Sequence, residues 1–211
     1  MVKNNVKFID KKSVFIDKNV KLGKNVVIHP NNYIIGDSVI EDGVILLPNN
    51  TIKDSVISLN SKVESSHIEE SVVGENCVVG PFARLRPKTK IGKNCKIGNF
   101  VEIKNSVVKN GSKISHLAYV GDCEIGENCN VGCGVIFVNY NGKEKNKSVV
   151  GNNCFIGSNV NVVAPVNIAD NSYICAGTTL TIDTNENDFV IGRVRETIKH
   201  NYSLKYRKQE K

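Results

Sequence analysis

The sequence predicts an all-β chain folded as a parallel β-helix of hexapeptide repeats. Three observations support this prediction. An aliphatic residue recurs every six positions, and glycine often follows it. Asparagine recurs three positions after the aliphatic residue, and a small or β-branched residue recurs four positions after it. A period of six fits neither the 3.6-residue turn of a helix nor the two-residue alternation of an ordinary strand, so it indicates a repeat architecture.

The spacing of six is clearest in the middle and in the last third of the chain. The residues that carry it are Val73, Val79, Leu85, Ile91, Ile97, Ile103, Val131, Phe137, Val150, Ile156, Val162, Ile168, Ile174 and Leu180. One large and one small inward residue per hexad would fill a narrow three-sided prism with about eighteen residues per coil. Glycine and asparagine tolerate positive φ, so we expect them to turn a corner once per hexad.

The repeat predicts one continuous β-helical domain over residues 1–182, followed by an arm and a basic tail over residues 183–211. The spacing drifts before Val73, so we expect looser coils over residues 1–72. Phe137 and Val150 stand thirteen positions apart instead of six, and the intervening segment contains the turn signal Asn-Gly. One loop should therefore protrude from a corner of the prism.

Composition excludes several classes of protein. Aromatic residues make up 6% of the chain and tryptophan is absent, which suits a core of stacked aliphatic side chains. No apolar stretch approaches the ~18 residues of a membrane span, and no signal-peptide core follows Met1. The net charge of +7 is carried largely by corner lysines without any nucleic-acid-binding motif. We expect a cytoplasmic protein that binds neither membranes nor nucleic acid.

Most of the cysteines are predicted to be core residues. Four of the seven occupy the small interior position of a hexad, namely Cys77, Cys95, Cys129 and Cys154. A free thiol there behaves as a compact hydrophobic group. No CxxC pattern occurs, so we expect no metal site, and unpaired core thiols favour a reducing compartment.

Four segments resemble the acetyltransferase half of the bacterial bifunctional enzyme of UDP-N-acetylglucosamine synthesis. They are residues 79–87 (VGPFARLRP), 98–104 (GNFVEIK), 116–122 (HLAYVGD) and 139–142 (NYNG). Enzymes of that family join a glucosamine-1-phosphate N-acetyltransferase to an N-acetylglucosamine-1-phosphate uridyltransferase. The strong part of the resemblance covers about residues 73 to 199.

The resemblance implies a left-handed β-helix that assembles as a homotrimer, uses acetyl-CoA as cosubstrate and needs no metal for acetyl transfer. The implied acceptor is the 2-amine of glucosamine-1-phosphate, with His116 as the general base. The residues that match the family's sugar-phosphate pocket are Arg86, Lys104, Tyr119, Asn130 and Lys145. Arg86 and Lys104 would bind the phosphate, Arg86 through two donors and Lys104 as a point charge.

By the same matching, acetyl-CoA would contact Cys133, Asn139, Tyr140, Ser158, Ala176, Arg193 and Lys199. A backbone N–H near Cys133 would stabilise the tetrahedral oxyanion. The chain departs from the family at Cys133, where the family usually has alanine, and at Asn141, where it usually has aspartate.

No segment resembles the Gly-rich nucleotide loop of the uridyltransferase half. We therefore expect acetyl transfer without uridyl transfer, either from a stand-alone acetyltransferase beside a separate uridyltransferase or from a domain expressed by itself. Two alternatives remain open. One keeps the fold and changes the acceptor to another amino sugar, a nucleotide sugar or an amino acid. The other is a non-catalytic β-helix that partners a separate nucleotidyltransferase.

Overall fold

The protein is a left-handed parallel β-helix in the computed structural model, which describes residues 5–206. The predicted fold class is confirmed. Each strand pairs in parallel with the equivalent strand of the coils before and after it, so three flat sheets enclose the prism. The parts of the predicted β-helix and basic tail that fall on residues 1–4 and 207–211 lie outside the described residues.

The first sheet has eleven strands. They are Lys7–Phe8, Val27–Ile28, Ile45–Leu46, Lys62–Val63, Val78–Val79, Lys96–Asn99, Lys113–His116, Asn130–Val131, Phe155–Ile156, Tyr173–Ile174 and Phe189–Val190. The second sheet has ten strands. They are Phe15–Ile16, Tyr33–Ile35, Thr51–Lys53, His67–Glu69, Arg84–Leu85, Glu102–Lys104, Tyr119–Gly121, Ile136–Val138, Asn161–Val163 and Thr179–Leu180.

The third sheet has nine strands. They are Lys21–Leu22, Val39–Ile40, Val56–Ile57, Val72–Val73, Lys90–Ile91, Val107–Val108, Cys123–Ile125, Ser148–Val150 and Asn167–Ile168. Two short 3₁₀ helices complete the described elements, at Lys11–Ser13 and Tyr202–Tyr206. Neither of these helices is long and apolar enough to cross a bilayer, and residues 5–206 contain no other helix.

The core is the stack of inward side chains predicted from the spacing of six. Every residue of that series is buried, and the four interior cysteines are buried as free thiols. The coils before Val73 stack in the same three sheets as the later ones. Their spacing drifts because five-residue steps separate Ile52 from Ile57 and Val63 from Ile68, yet all four side chains remain buried. A shortened corner therefore absorbs the missing residue.

Asparagine and glycine have different roles in the coils. Asn76 and Asn94 adopt left-handed φ values of 55° and 57°, as predicted for corner residues. The same prediction is wrong for most glycines that follow the inward aliphatic residue. Of these glycines in the described range, Gly80 alone has positive φ. A Cβ at Gly74 would lie 2.5 Å from the carbonyl oxygen of Gly92 in the next coil. Such glycines are required by the close approach of neighbouring coils.

Two features depart from the regular prism. The predicted loop leaves after Val138 and returns at Ser148, and an antiparallel bridge joins Tyr140 to Lys145 inside it. The predicted end of the β-helix at residue 182 is followed by one more strand, Phe189–Val190, which pairs with the first sheet. This strand extends an outward aromatic stack, with ring centroids 4.6 Å apart for Phe155 and Tyr173 and 5.0 Å apart for Tyr173 and Phe189.

Candidate functional site

The sequence-predicted site residues lie at two corners of the prism. Corner A joins the first and second sheets, and its residues with left-handed φ include Phe82, Phe100, Leu117 and Gly134. Corner B joins the second and third sheets, and it includes Lys88, Asn105, Asp122 and the protruding loop over residues 139–147. Residues 118–121 cross the face between the corners, a width of about 13 Å at about 3.3 Å per residue. Side chains from both corners border this second-sheet face.

Arg86 and Lys104 reach corner B from consecutive coils. Arg86 follows the strand Arg84–Leu85, and Lys104 ends the strand Glu102–Lys104 that pairs with it. The Arg86 guanidinium donates to the Glu102 carboxylate at 2.8 Å, and the Lys104 ammonium lies 3.3 Å from Asp122. Lys104 and Asp122 are the more buried pair, with side chains 19% and 11% exposed. The two predicted phosphate ligands are therefore brought together, each held by a carboxylate.

Asp122 organises corner B, although the sequence did not identify it as a site residue. One carboxylate oxygen accepts from Lys104 and from the Asn139 amide at 2.5 Å, and the other accepts from the Asn105 amide at 2.6 Å. Burial alone would raise the pKa of Asp122, but these hydrogen bonds outweigh it and lower the pKa. Asp122 is therefore a fixed negative charge that orients Lys104 and Asn139.

The loop brings a third cation to the same place. The Lys145 amine adjoins the Lys104 ammonium, and this interaction together with Asp122 raises the pKa of Lys104. The same interaction and the repulsion from Lys104 lower the pKa of Lys145, and Arg86 adds to that repulsion. Three cationic side chains thus crowd one corner, where a bound anion would relieve their repulsion.

The loop owes its shape to Asn141, one of the two departures from the family pattern. Its side-chain oxygen accepts from the backbone N–H groups of Lys143 and Glu144, both at 2.9 Å. This is an Asx turn, and an amide oxygen serves it as a carboxylate oxygen would. The Tyr140 hydroxyl closes the same turn by donating to the Gly142 carbonyl at 2.7 Å.

Tyr119 lies over the strand at corner B. A Cβ at Gly121 would come within 2.5 Å of the Tyr119 hydroxyl and 2.7 Å of the Asn139 amide nitrogen, so both side chains pack against the backbone of Gly121. Tyr119 and Asn139 therefore adjoin Lys104 and Asp122. Asn130 is not part of this group within one chain, since it lies on the outer side of the first sheet beside the inward Val131.

His116 ends the strand Lys113–His116 at corner A. Its Nδ1 lies 2.6 Å from the side-chain oxygen of Asn99, which occupies the facing position on the neighbouring strand. An oxygen acceptor at that distance favours the tautomer with hydrogen on Nδ1 and leaves Nε2 with a free lone pair. The imidazole is exposed, so Nε2 is accessible to a ligand. Asn99 is a second contributor that the sequence did not identify.

Cys133, Ser158 and Ala176 follow one another along corner A on successive coils, and all three are exposed. In the described part of the chain, none of their backbone N–H groups has an acceptor, whereas the flanking N–H groups of Gly132 and Gly134 do. Three small side chains and three free donors fit an extended ligand that contains amide and carbonyl groups.

The remaining predicted acetyl-CoA residues divide between the two corners. Arg193 donates from its guanidinium to the Ala176 carbonyl at 2.8 Å, so it extends the corner A row. Lys199 lies in the exposed arm with its ammonium 5.1 Å from the centre of the Tyr202 ring. Asn139 and Tyr140 lie at corner B because the loop leaves there. Within residues 5–206, no three His, Cys, Asp or Glu side chains are grouped as a metal site would need.

Comparisons with known proteins point to transferases. The family model "Bacterial transferase hexapeptide (six repeats)" matches residues 12–54 and 147–181, and the model "GMPPB C-terminal domain" matches residues 67–140. The chain is 48% identical to the bifunctional protein GlmU of Clostridium kluyveri over 97% of its length. It is also 48% identical to GlmU of Clostridium novyi over 92% of its length.

The matched segment spans 45% of the first of these relatives and 43% of the second, less than half of each. Among solved structures, the Arabidopsis UDP-N-acetylglucosamine acyltransferase superposes with a TM-score of 0.64 over 84% of this chain and 69% of its own. At 17% identity that likeness establishes the fold alone.

Proposed function

Because the chain belongs to the hexapeptide-repeat family of bacterial transferases, we propose that it transfers acetyl from acetyl-CoA to the 2-amine of glucosamine-1-phosphate. The products are N-acetylglucosamine-1-phosphate and CoA, and the reaction serves UDP-N-acetylglucosamine synthesis in the cytoplasm. The observation that carries the proposal is the pairing of a three-cation cluster at corner B with a base-competent imidazole across the same face.

The sugar phosphate would lie across the second-sheet face. Its phosphate would contact Arg86, Lys104 and Lys145, where a dianion offsets the crowding of positive charge. Its amine would then point towards corner A and His116. Tyr119 adjoins Lys104 at corner B, and its hydroxyl would hydrogen-bond the sugar.

Acetyl transfer requires removal of one proton from the amine. Nε2 of His116 accepts that proton while the amine nitrogen attacks the thioester carbonyl carbon. Negative charge develops on the carbonyl oxygen, and the free N–H of Cys133 is the donor we assign to it. When the C–S bond breaks, the proton held on Nε2 passes to the departing CoA sulfur, so the reaction is balanced and His116 returns to its starting form.

Acetyl-CoA would run along corner A. The free N–H groups at Ser158 and Ala176 would bind the amide carbonyls of the pantetheine arm, and Arg193 and Lys199 would meet its anionic end. The Cys133 side chain is exposed at this corner, so its size limits the space for the acetyl group.

We also propose that the active form is a homotrimer. Phe82 and Phe100 stack at 5.5 Å on corner A and are 58% and 55% exposed, although both hold a left-handed φ that is costly for large side chains. Leu117, next to His116, shares both properties. A neighbouring copy over corner A would cover this row. It would supply Asn130, which one chain keeps apart from its sugar-phosphate residues at corner B, and the loop residues Asn139 and Tyr140, which one chain keeps apart from its acetyl-CoA row.

The experiment is CoA release with glucosamine-1-phosphate, comparing the wild type with His116→Ala. We expect a fall in kcat of about 10²–10⁴, the usual contribution of a general base. His29→Ala, which changes an imidazole on corner A five coils before His116, should retain the wild-type rate. Equal rates for wild type and His116→Ala would remove the proposed base, and no release with either would reject the acceptor. Replacing glucosamine-1-phosphate by glucosamine should abolish most of the activity.

A further inference from the structure

A cavity lies on the third-sheet side of the protruding loop. Its volume is about 750 Å³, within the range of about 300–1,000 Å³ that small-molecule sites occupy. The polar part of its wall includes Lys88, Lys90, Asn105, Ser106, Lys145 and Lys147. Arg86, Lys104 and Tyr119 do not line it. The cavity therefore shares Asp122 and Lys145 with the corner B group, but its wall contains none of the other residues proposed to bind the sugar phosphate.

Positive charge is in excess in this cavity. Asp122 is the carboxylate in the wall, and Lys104, Asn105 and Asn139 already occupy its oxygens. Lys147 forms an ion pair with Glu124, whose other oxygen contacts Lys109.

Neither Lys88 nor Lys90 has an ion pair with any residue in the described range 5–206. Lys145 has none either, and it is repelled by its cationic neighbours. Three of the four lysines thus face the cavity without a compensating carboxylate, which favours an anionic ligand.

The spacing of the lysines indicates the kind of anion. Lys90 begins the strand Lys90–Ile91, and Lys147 directly precedes Ser148–Val150, three coils further along the third sheet. At about 4.8 Å per coil, their backbones are about 14 Å apart. A single phosphate would contact one end of this row, whereas linked phosphates can contact both ends at once. Lysine ammonium groups suit such a ligand because they bind phosphate oxygens as point charges.

We propose that this cavity binds an oligophosphate chain of two or more linked phosphates, free or carried by a nucleoside. The phosphates lie along the row from Lys88 and Lys90 to Lys147, and the Asn105 amide and Ser106 hydroxyl border them. The proposal concerns a site beside the acetyl-transfer site and does not rest on the proposed function.

The test is isothermal titration calorimetry on the full chain at fixed ionic strength, with inorganic triphosphate and inorganic phosphate as ligands. We expect triphosphate to bind at least tenfold more tightly than phosphate. Lys88→Ala/Lys90→Ala should weaken triphosphate binding at least tenfold. The matched control is Lys18→Ala/Lys62→Ala, which removes two exposed lysines elsewhere on the prism and should leave the affinity unchanged.

Several outcomes would overturn the proposal. One is the absence of triphosphate binding, and another is equal affinity for phosphate and triphosphate. A third is equal weakening of triphosphate binding in both double variants, which would indicate attraction to net charge only. ATP in the same titration separates the two sources. If ATP binds with the same affinity as triphosphate, the phosphates alone are recognised. If ATP binds more tightly and Lys88→Ala/Lys90→Ala still weakens that binding, the nucleoside is recognised as well. Arg86→Ala should retain triphosphate binding, so the result stands apart from any measurement of acetyl transfer.

Discussion

Asn99 and His116 occupy facing positions on neighbouring parallel strands, and the Asn99 side-chain oxygen lies 2.6 Å from His116 Nδ1. The strand pairing fixes the two backbones, and the hydrogen bond fixes the ring. The proposed base is therefore oriented before any ligand binds.

Removing this contact should lower the rate without weakening substrate binding. We expect Asn99→Ala to reduce kcat about tenfold with little change in KM, because Nε2 then loses its fixed direction and tautomer. Asn99→Asp keeps an acceptor and should retain more activity than Asn99→Ala. Steady-state kinetics of CoA release provide both parameters. A wild-type kcat in Asn99→Ala would show that the Asn99 contact is not needed to orient the ring.

Asp122 should make stability depend on pH in the acid range. Its pKa is lowered in the folded protein, so its contribution is complete above the unfolded value of about 3.9 and is lost as pH falls through the folded value. Asp122→Asn should therefore reduce the free energy of unfolding by about 2 kcal/mol at pH 7 and by progressively less below about pH 4.

Urea unfolding followed by circular dichroism from pH 3 to pH 7 measures this difference. Glu144→Gln is the matched control, because this exposed loop carboxylate has no side-chain partner within the described residues. A difference between wild type and Asp122→Asn that stays constant across the whole range would contradict the assigned ionisation.

Lys145 and Lys143 lie two positions apart in the loop and should differ in function. Lys145 adjoins Lys104, whereas only the backbone N–H of Lys143 takes part in the loop's hydrogen bonds. We expect Lys145→Ala to raise KM for glucosamine-1-phosphate about tenfold, the loss of one charge-assisted hydrogen bond, and Lys143→Ala to leave it near the wild-type value. If the two variants had equal KM values, Lys145 would not be a phosphate ligand.

The exposed aromatic row at corner A should hold copies of the chain together. Phe82→Ser/Phe100→Ser removes two stacked rings, and we expect the proposed trimer to dissociate to monomers at micromolar concentration. Light scattering coupled to size exclusion measures the mass. Val72→Ser changes an exposed apolar residue on the third sheet and should leave the mass unchanged. A trimeric mass in the double variant would place the interface elsewhere.

The sequence predicted the coil well because its signal is local and repeated. The six-residue spacing alone predicts that Val79 and Leu85 are buried, and each further repeat strengthens that prediction. The role of Gly74 was mistaken because the contact that requires glycine comes from Gly92, eighteen positions away in another coil. Nothing in the local pattern distinguishes that cause from a turn.

Site residues could be predicted where they lie in a recognisable motif. They could not be predicted where only a contact in the folded chain gives them their role. His116 stands in a recognisable segment, but Asn99 acquires its importance only through the register that places it opposite. Asp122 likewise resembles other polar corner residues until Lys104, Asn105 and Asn139 converge on it. Partners seventeen or eighteen positions apart become neighbours through coil geometry, which spacing alone does not rank.

The aromatic stack at the end of the first sheet has a spectroscopic consequence. The chain contains six tyrosines and no tryptophan, and Tyr173 is the ring held between Phe155 and Phe189. Its near-ultraviolet circular dichroism depends on both neighbours remaining in place. Tyr173 is thus an intrinsic optical marker for opening of the prism from its carboxyl-terminal end, and comparison with Tyr173→Phe isolates its signal from those of the other tyrosines.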